Sequence, residues 1–493
     1  MFLKGGRNMA VENREPYIPQ DECDQKSAIK RFKTAYQELG VSALLKQCNI
    51  VKPTQGILKV LPVGVVTIFM TLLLLVFHNQ SLTAYLNTHW SSEKGAKTTY
   101  YRFLNDPHYN WPKFLRELAY RVQTVCVSTI RKTRPCFYVM DDSIIPRMSS
   151  KHVELLSYIY DHVRNKTIKC FNNLVLAWTD GYSLLPVASI MMHSCKRLSE
   201  TMDLTEKLHK RSSGYKERVK AGKSKLEVAV EMVRDALATG FRANYLLCDT
   251  WFTNEPFIRS MLELRIDVIG MLKDCKQQYW YRGKLYNLTG IRGLIHLDKG
   301  NRSGIWGSVI VQTKYSQIPV KIVFAQNRNK RSEYVLILST DIDLTEEQII
   351  QYYGNRWKIE CCFKACKGFL GLGKEFHGLS YDLLISSTTI VYTRYLITEY
   401  IHRISTDHRT LNWWMKEMYY EVPVLEFADA LTTLLSITVE AINKVDAKYA
   451  GKLRAKLACW YTCQPEHVRA ILPKLVFKGD EGKADIPLPA EAV

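Results

Sequence analysis

Residues 352–367 read YYGNRWKIECCFKACK. They follow Thr345 and Gln348, which make a capping-box pattern, each side chain serving the other's backbone N–H at a helix start. A long helix is therefore expected from Glu346 to about Lys367, ending at Gly368. At about 100° per residue, Tyr353, Arg356, Glu360 and Lys367 fall within one arc of about 60°. A hydroxyl, a guanidinium, a carboxylate and an ammonium then share one face. Cys361, Cys362 and Cys366 fall on other faces, where thiols behave as small apolar groups. The plain explanation of such a face is a solvated surface with intrahelical ion pairs, and Glu360 with Lys364 fits it.

Other carboxylates change the balance. PCFYVMDDS, 135–143, is a short apolar strand that ends in two aspartates, and ANYLLCDTWF, 243–252, is another that ends in Asp249. Acids from two strand ends and a helix can converge at one edge of a mixed sheet. Converged carboxylates repel one another unless a cation lies between them. Mg²⁺ or Mn²⁺ is the natural cation, since both prefer oxygen ligands. Two such ions about 3.5–4 Å apart can activate a water or hydroxyl and stabilise the leaving oxygen of a phosphodiester. Arg356 and Lys367 could hold a phosphate beside them. Asp141 and Asp142 point to opposite faces of their strand, and periodicity does not choose between them.

Here the chain resembles the DDE transposases of bacterial insertion sequences that carry the YREK signature. That signature is Tyr, two residues, Arg, three residues, Glu, six residues, Lys, and Tyr353, Arg356, Glu360 and Lys367 match it in full. YVMDDS and LLCDTWF resemble the family's two aspartate contexts. The resemblance covers roughly residues 130 to 370. It implies an α/β fold: a ribonuclease-H-like mixed-sheet catalytic core interrupted by a β-rich insertion, with helical N- and C-terminal regions. It implies Asp142, Asp249 and Glu360 as catalytic residues and ligands of two Mg²⁺ or Mn²⁺ ions, Asp142 being preferred to Asp141 because Ser143 follows it. Asp142 would then face the acid cluster, with Asp141 solvated or supporting it. Tyr353, Arg356 and Lys367 would hold the phosphate at the element end. The implied activity is metal-dependent cleavage at insertion-sequence ends and joining of the freed 3′-OH to target DNA, by a homodimer that pairs two ends.

The rest of the chain agrees with a polyanion partner. There are 68 Lys and Arg against 48 Asp and Glu, a net charge of +20, which attracts nucleic acid. The expected order is a helical DNA-binding region over 1–130, a first core part over 131–265 and a β-rich insertion over 266–340. A second core part with the glutamate helix follows over 341–405, then a helical region with a loose tail over 406–493. Within the first, residues 29–47 suggest short helices around Gly40. Residues 97–123 interleave basic and aromatic side chains, suited to phosphate contact and base stacking as well as to an amphipathic helix. Residues 152–163 suggest a helix. Asp180-Gly181 marks a hairpin turn. Residues 207–225 suggest a solvated basic segment on the DNA backbone, and Ser224 with Glu227 a capping box. Trp280 and Trp306 of the β-rich block are candidates to stack on a displaced base.

Thirteen cysteines without a zinc-type pattern, behind a polar N-terminus, suggest a reduced protein in the cytoplasm, associated with the nucleoid. Residues 61–77 carry no charge, but they include Pro62 and Gly64 and suggest a buried helix rather than a membrane span. Two rival readings fit the same residues. One is a nuclease of the same fold without strand transfer. The other is a domesticated DNA-binding protein, against which the three intact acids argue.

Overall fold

The computed structural model describes residues 28–51, 64–88, 95–128, 134–161, 164–193, 205–273, 277–298, 303–327, 330, 332–405 and 409–463. Two compact units form, a larger one of residues 30–76 and 80–415 and a smaller one built mainly from residue 416 onward. The first four stretches expected from sequence thus lie mostly in the larger unit.

The chain opens on helices α1 (Ala28–Glu38) and α2 (Val41–Gln47). Gly40 separates them at φ 59°, a left-handed conformation that glycine adopts without strain, and the Arg121 guanidinium donates to the carbonyls of Leu39 and Gly40. Then come α3 (Val65–Leu74), α4 (Leu82–Thr88), α5 (Lys97–Leu104) and α6 (Trp111–Ser128). The described part of the uncharged segment is thus a short helix that buries Ile68, Phe69, Leu72 and Leu73. No helix among the described residues is long and apolar enough to cross a membrane. The final carbonyls of α3, those of Leu72 and Leu73, accept from the fully buried guanidinium of Arg394. The aromatics of 97–123 are mostly spent on this core. Trp111 packs against Phe69, Phe103 and Phe114 with ring centroids 6.0, 5.7 and 5.9 Å away, and Tyr100 and Tyr109 are buried too. Base stacking by these buried rings is therefore excluded.

Strands β1 (Phe137–Pro146), β2 (Ser157–Asp161), β3 (Lys166–Thr179) and β4 (Leu184–Met192) follow, then α7 (Ser213–Ala221), α8 (Lys225–Thr239), β5 (Tyr245–Cys248), α9 (Glu255–Glu263) and β6 (Asp267–Leu272). The β-rich block supplies β7 (Gln278–Tyr281), β8 (Lys284–Asn287), α10 (Leu288–Leu294), β9 (Ile305–Thr313), β10 (Pro319–Gln326) and β11 (Tyr334–Ser339). All eleven strands among the described residues make one sheet in the order β2-β3-β1-β5-β6-β11-β10-β9-β7-β8, with β4 beside β3. β1, β5 and β6 are parallel; β11 joins β6 antiparallel and carries the β-rich block outward as a continuation of the same sheet. The chain ends with α11 (Glu346–Gly354), α12 (Trp357–Gly368), α13 (Tyr381–Ile404), α14 (Leu411–Val445) and α15 (Ala447–Thr462).

Three local expectations are corrected. Residues 157–161 are the strand β2, not helix: burial alternates from Ser157 to Asp161 with Tyr158 and Tyr160 outward, and pairing with β3 overrides helix propensity. The basic segment is not simply solvated, since α7 turns Arg218 inward to Glu154 and Asp382. The long helix of 346–367 is two helices. Gly354 and Asn355 are weak helix formers, and the chain tightens there to i→i+3 bonds, Asn355 N–H to Tyr352 O and Arg356 N–H to Tyr353 O. The Asp180-Gly181 turn, with Gly181 at φ 86°, and both capping boxes are present.

Helix α13 runs through the core and carries a buried acid. Burial pushes the Glu399 carboxyl up to about 7 from an ordinary 4.5, against the Tyr395 hydroxyl that donates to it at 2.9 Å. The folded protein holds a proton there that the unfolded chain gives up. This contribution to stability is fully present below about pH 4.5 and is lost as pH rises through about 7. Glu399→Gln keeps the acceptor and removes the charge. We expect it to stabilise the protein at pH 8 by on the order of 2–3 kcal/mol and to flatten the decline between pH 5 and 8, measured by urea denaturation.

Candidate active site

β1 and β5 lie side by side in parallel register, Met140 opposite Cys248, so Asp141 and Asp142 lie just past the paired stretch, beside Asp249. β5 ends there, whereas β1 does not end at its aspartates as expected but runs on to Pro146, paired with β3. The capping box at Thr345 starts α11, and the tight turn at Asn355 starts α12, which packs over β1 and brings Glu360 to the same place.

Arg356 ties the acids together. Its guanidinium donates to Asp141 Oδ2 at 3.0 Å and to Glu360 Oε1 at 2.6 Å. Burial works against its charge, but Tyr353, Asp141 and Glu360 more than offset this and keep it protonated. A second cation, Lys225 at the start of α8, pairs with Asp142 Oδ2, which also accepts from the Asn172 amide at 3.0 Å. The Lys225 ammonium lies over the Trp251 ring, 4.4 Å from its centroid. Asp249 Oδ1 accepts from the Trp251 backbone N–H at 3.0 Å. Burial and then the Arg356 charge act in opposite directions on Asp141; with Asp249 and Asp142 adding repulsion, its carboxyl rises to about 7. Asp249 is also raised, by burial and by Asp142, against the pull of the Trp251 N–H, Arg356 and Lys225.

The sequence-based candidates separate on this geometry. Asp141 is not solvated: it shares one guanidinium with Glu360, while Asp142 faces Lys225 and Asn172. Tyr353 is 7 % exposed at the end of α11, with Arg356 over its ring at 5.8 Å, and burial raises its hydroxyl. Lys367 sits two turns beyond Glu360, donates to the Ile144 carbonyl of β1 at 3.1 Å, and is lowered by burial. Trp306 is 5 % exposed and packs on Tyr334, so as placed it cannot stack on a base. Trp280 spends its indole N–H on the Lys314 carbonyl. The large exposed aromatic beside the acids is Trp251, at 50 % exposure. The sequence reading missed it, although it stands two residues after Asp249. The sequence places Lys225 only in the basic segment expected on the DNA backbone, and no sequence signal pairs it with Asp142, because that contact is made across the fold.

The donor chemistry suits a hard divalent cation: four carboxylates face two cations, and at least two of the acids are held above their ordinary range by crowding and burial. As the side chains stand, no three His, Cys, Asp or Glu among the described residues are grouped closely enough to hold a metal ion. Arg356 and Lys225 instead occupy carboxylate oxygens of the cluster.

Two basic segments distant in sequence also meet. Arg102, Asn105, Asp106 and His108 line a cleft of about 620 Å³ with Lys207, His209 and Ser212.

A mixed sheet whose adjacent parallel strands bring Asp141, Asp142 and Asp249 together, faced by a helix glutamate, is consistent with a ribonuclease-H-like core. Comparison with known families agrees. The family described as DDE superfamily endonuclease matches residues 67–280, which include Asp141, Asp142 and Asp249; the transposase DDE domain matches residues 215–378, which include Asp249 and Glu360. The two matches support a DDE transposase family for this chain and a transposase or DDE endonuclease function in general. No curated protein compared with the chain matches it.

Proposed function

We propose that this protein is a DNA transposase of the YREK type, which cuts at the ends of an insertion sequence and joins them to target DNA. The observation that carries the reading is the meeting of Asp141, Asp142, Asp249 and Glu360 around Arg356 and Lys225. Asp249, Glu360 and one of the aspartate pair, Asp142 by its Ser143 context or Asp141 by its shared guanidinium with Glu360, are the residues to hold Mg²⁺ or Mn²⁺. When bound, two such ions supply an activated water and neutralise charge on the leaving oxygen.

The chain's own groups do the rest. Arg356 is planar and always charged, so it suits bidentate contact with the two non-bridging oxygens of a phosphate. Lys367 adds a point charge further along α12. Tyr353, beneath Arg356, positions that guanidinium. The protein acts as a dimer on two inverted terminal repeats, in the cytoplasm at the nucleoid.

The test is a cleavage assay on DNA flanking the gene, with Mg²⁺ and a second duplex as target. Defined nicks followed by joining support the transposase reading. Cutting without joining would make it a nuclease, and binding without cutting would leave a DNA-binding protein.

The cleft between the end of α5 with the residues after it and the segment leading into α7 is the proposed backbone contact. Arg102→Glu and Lys207→Glu, singly, are expected to weaken binding to all duplexes alike and to reduce the slope of log K against log salt by about one. Fluorescence anisotropy from 50 to 200 mM salt reads this. An unchanged slope for both variants would remove the cleft from the interface.

A further inference from the structure

We infer that Lys225 and Arg356 are internal counter-ions that hold the acid cluster closed until DNA arrives, so that divalent-ion binding and DNA binding are coupled through these two side chains. This rests on the acid cluster being the metal-binding site proposed above.

The geometry is specific. Arg356 occupies Asp141 Oδ2 and Glu360 Oε1, at 3.0 and 2.6 Å, and Lys225 occupies Asp142 Oδ2. Oxygens on three of the four acids are thereby committed to cations of the chain. A divalent ion approaching these oxygens must displace the two side chains or bear their repulsion, which is strong where water is scarce. Neither cation is locked by packing alone. Arg356 retains guanidinium N–H groups beyond the two in use, and Lys225 has a flexible stem with its ammonium over the half-exposed Trp251 ring.

A phosphodiester offers both cations an equivalent partner. Its non-bridging oxygens can take the guanidinium fork and the ammonium as the carboxylates do. Once these cations turn to phosphate, Asp141, Asp142 and Glu360 lose their counter-charges, with Asp249 near the aspartate pair. That is the condition in which a hard divalent ion binds best. Reciprocity follows: DNA raises the affinity for the ion by the same factor by which the ion raises the affinity for DNA. Free protein is then poorly loaded, which limits cutting away from a bound end.

Mn²⁺ binding followed by electron paramagnetic resonance tests this without any turnover. Full-length wild type, Lys225→Met, Arg356→Gln and Asp249→Asn are titrated alone and with saturating duplex from the gene's flank, after thermal melting confirms that each is folded. Wild type should bind Mn²⁺ weakly alone and about tenfold more tightly with duplex. Lys225→Met and Arg356→Gln should each bind Mn²⁺ about five- to tenfold more tightly than wild type without DNA, and lose most of the gain from duplex. Asp249→Asn should bind more weakly in both conditions. The inference is overturned if neither cation variant tightens DNA-free binding, or if duplex leaves wild-type affinity unchanged. If Asp249→Asn binds as wild type does, the ion is held elsewhere and the proposed metal site fails with it; if only the cation variants are unchanged, the metal site stands and the coupling alone is lost.

Discussion

Glu360→Gln binds its DNA and leaves it uncut: that is the expected result with the largest effect on activity. The substitution keeps the length and shape of the side chain and removes its charge. In the free protein it weakens one bond to Arg356, on an acid already about a third exposed, so the cost to folding is small. The cost to chemistry is large, because a neutral amide is a poor ligand for a hard divalent ion. Even partners that only support a metal ligand cost about 10–100-fold when changed, so loss of a ligand should exceed about a hundredfold. Nicking of end-labelled duplex and binding by anisotropy are measured on the same preparation. Loss of nicking with binding retained supports a catalytic glutamate. Equal nicking by wild type and variant would return Glu360 to a structural ion pair with Arg356. Asp141→Asn and Asp142→Asn, assayed alongside, decide the first ligand: the variant that loses nicking as fully as Glu360→Gln identifies it.

The largest effect on stability is expected at Arg218. Its guanidinium is buried and reaches Glu154 at 2.6 and 2.8 Å and Asp382 at 2.9 and 2.7 Å, with a further bond to the Gly214 carbonyl at 2.9 Å. One cation thus joins α7, the start of α13 and the segment before β2. Arg218→Met leaves two buried carboxylates without their cation, and breaking a buried ion pair in this way costs about 3–5 kcal/mol. Adding Glu154→Gln and Asp382→Asn to the same chain should recover part of that loss, since an uncharged trio no longer needs the cation. Urea denaturation of the single and triple variants measures both steps. A single-variant loss below about 1 kcal/mol would mean that water reaches the carboxylates and that Arg218 is effectively a surface group.

Arg218 also shows where sequence reading reaches its limit. In the sequence it is one of many cations between Lys207 and Lys225, and a run of that kind reads as a DNA-facing surface. Its carboxylate partners lie 64 and 164 residues away along the chain. No local pattern encodes such a contact. The same holds for Lys225 and for Trp111, whose basic and aromatic surroundings suggested nucleic acid while the ring went into the core.

What the sequence determined by itself was local and periodic. The capping boxes at Ser224 and Thr345, the Asp180-Gly181 turn, the break at Gly40 and the apolar strand before Asp249 depend on neighbours within a few residues, and all are present in the fold; the strand expected to end at Asp141 and Asp142 instead continues through them to Pro146. The spacing of Tyr353, Arg356, Glu360 and Lys367 is likewise legible from the chain alone. Tertiary structure decided what these elements face. Sheet pairing made a strand of 157–161 and joined the β-rich block to the core sheet. A tight turn at Asn355 split the expected helix. Asp141, not Asp142, came to share a guanidinium with Glu360, and Lys225 came to Asp142 across the fold. The reason is physical: propensity and capping act over one or two turns, whereas burial and charge pairing are settled by whichever distant segment packs alongside.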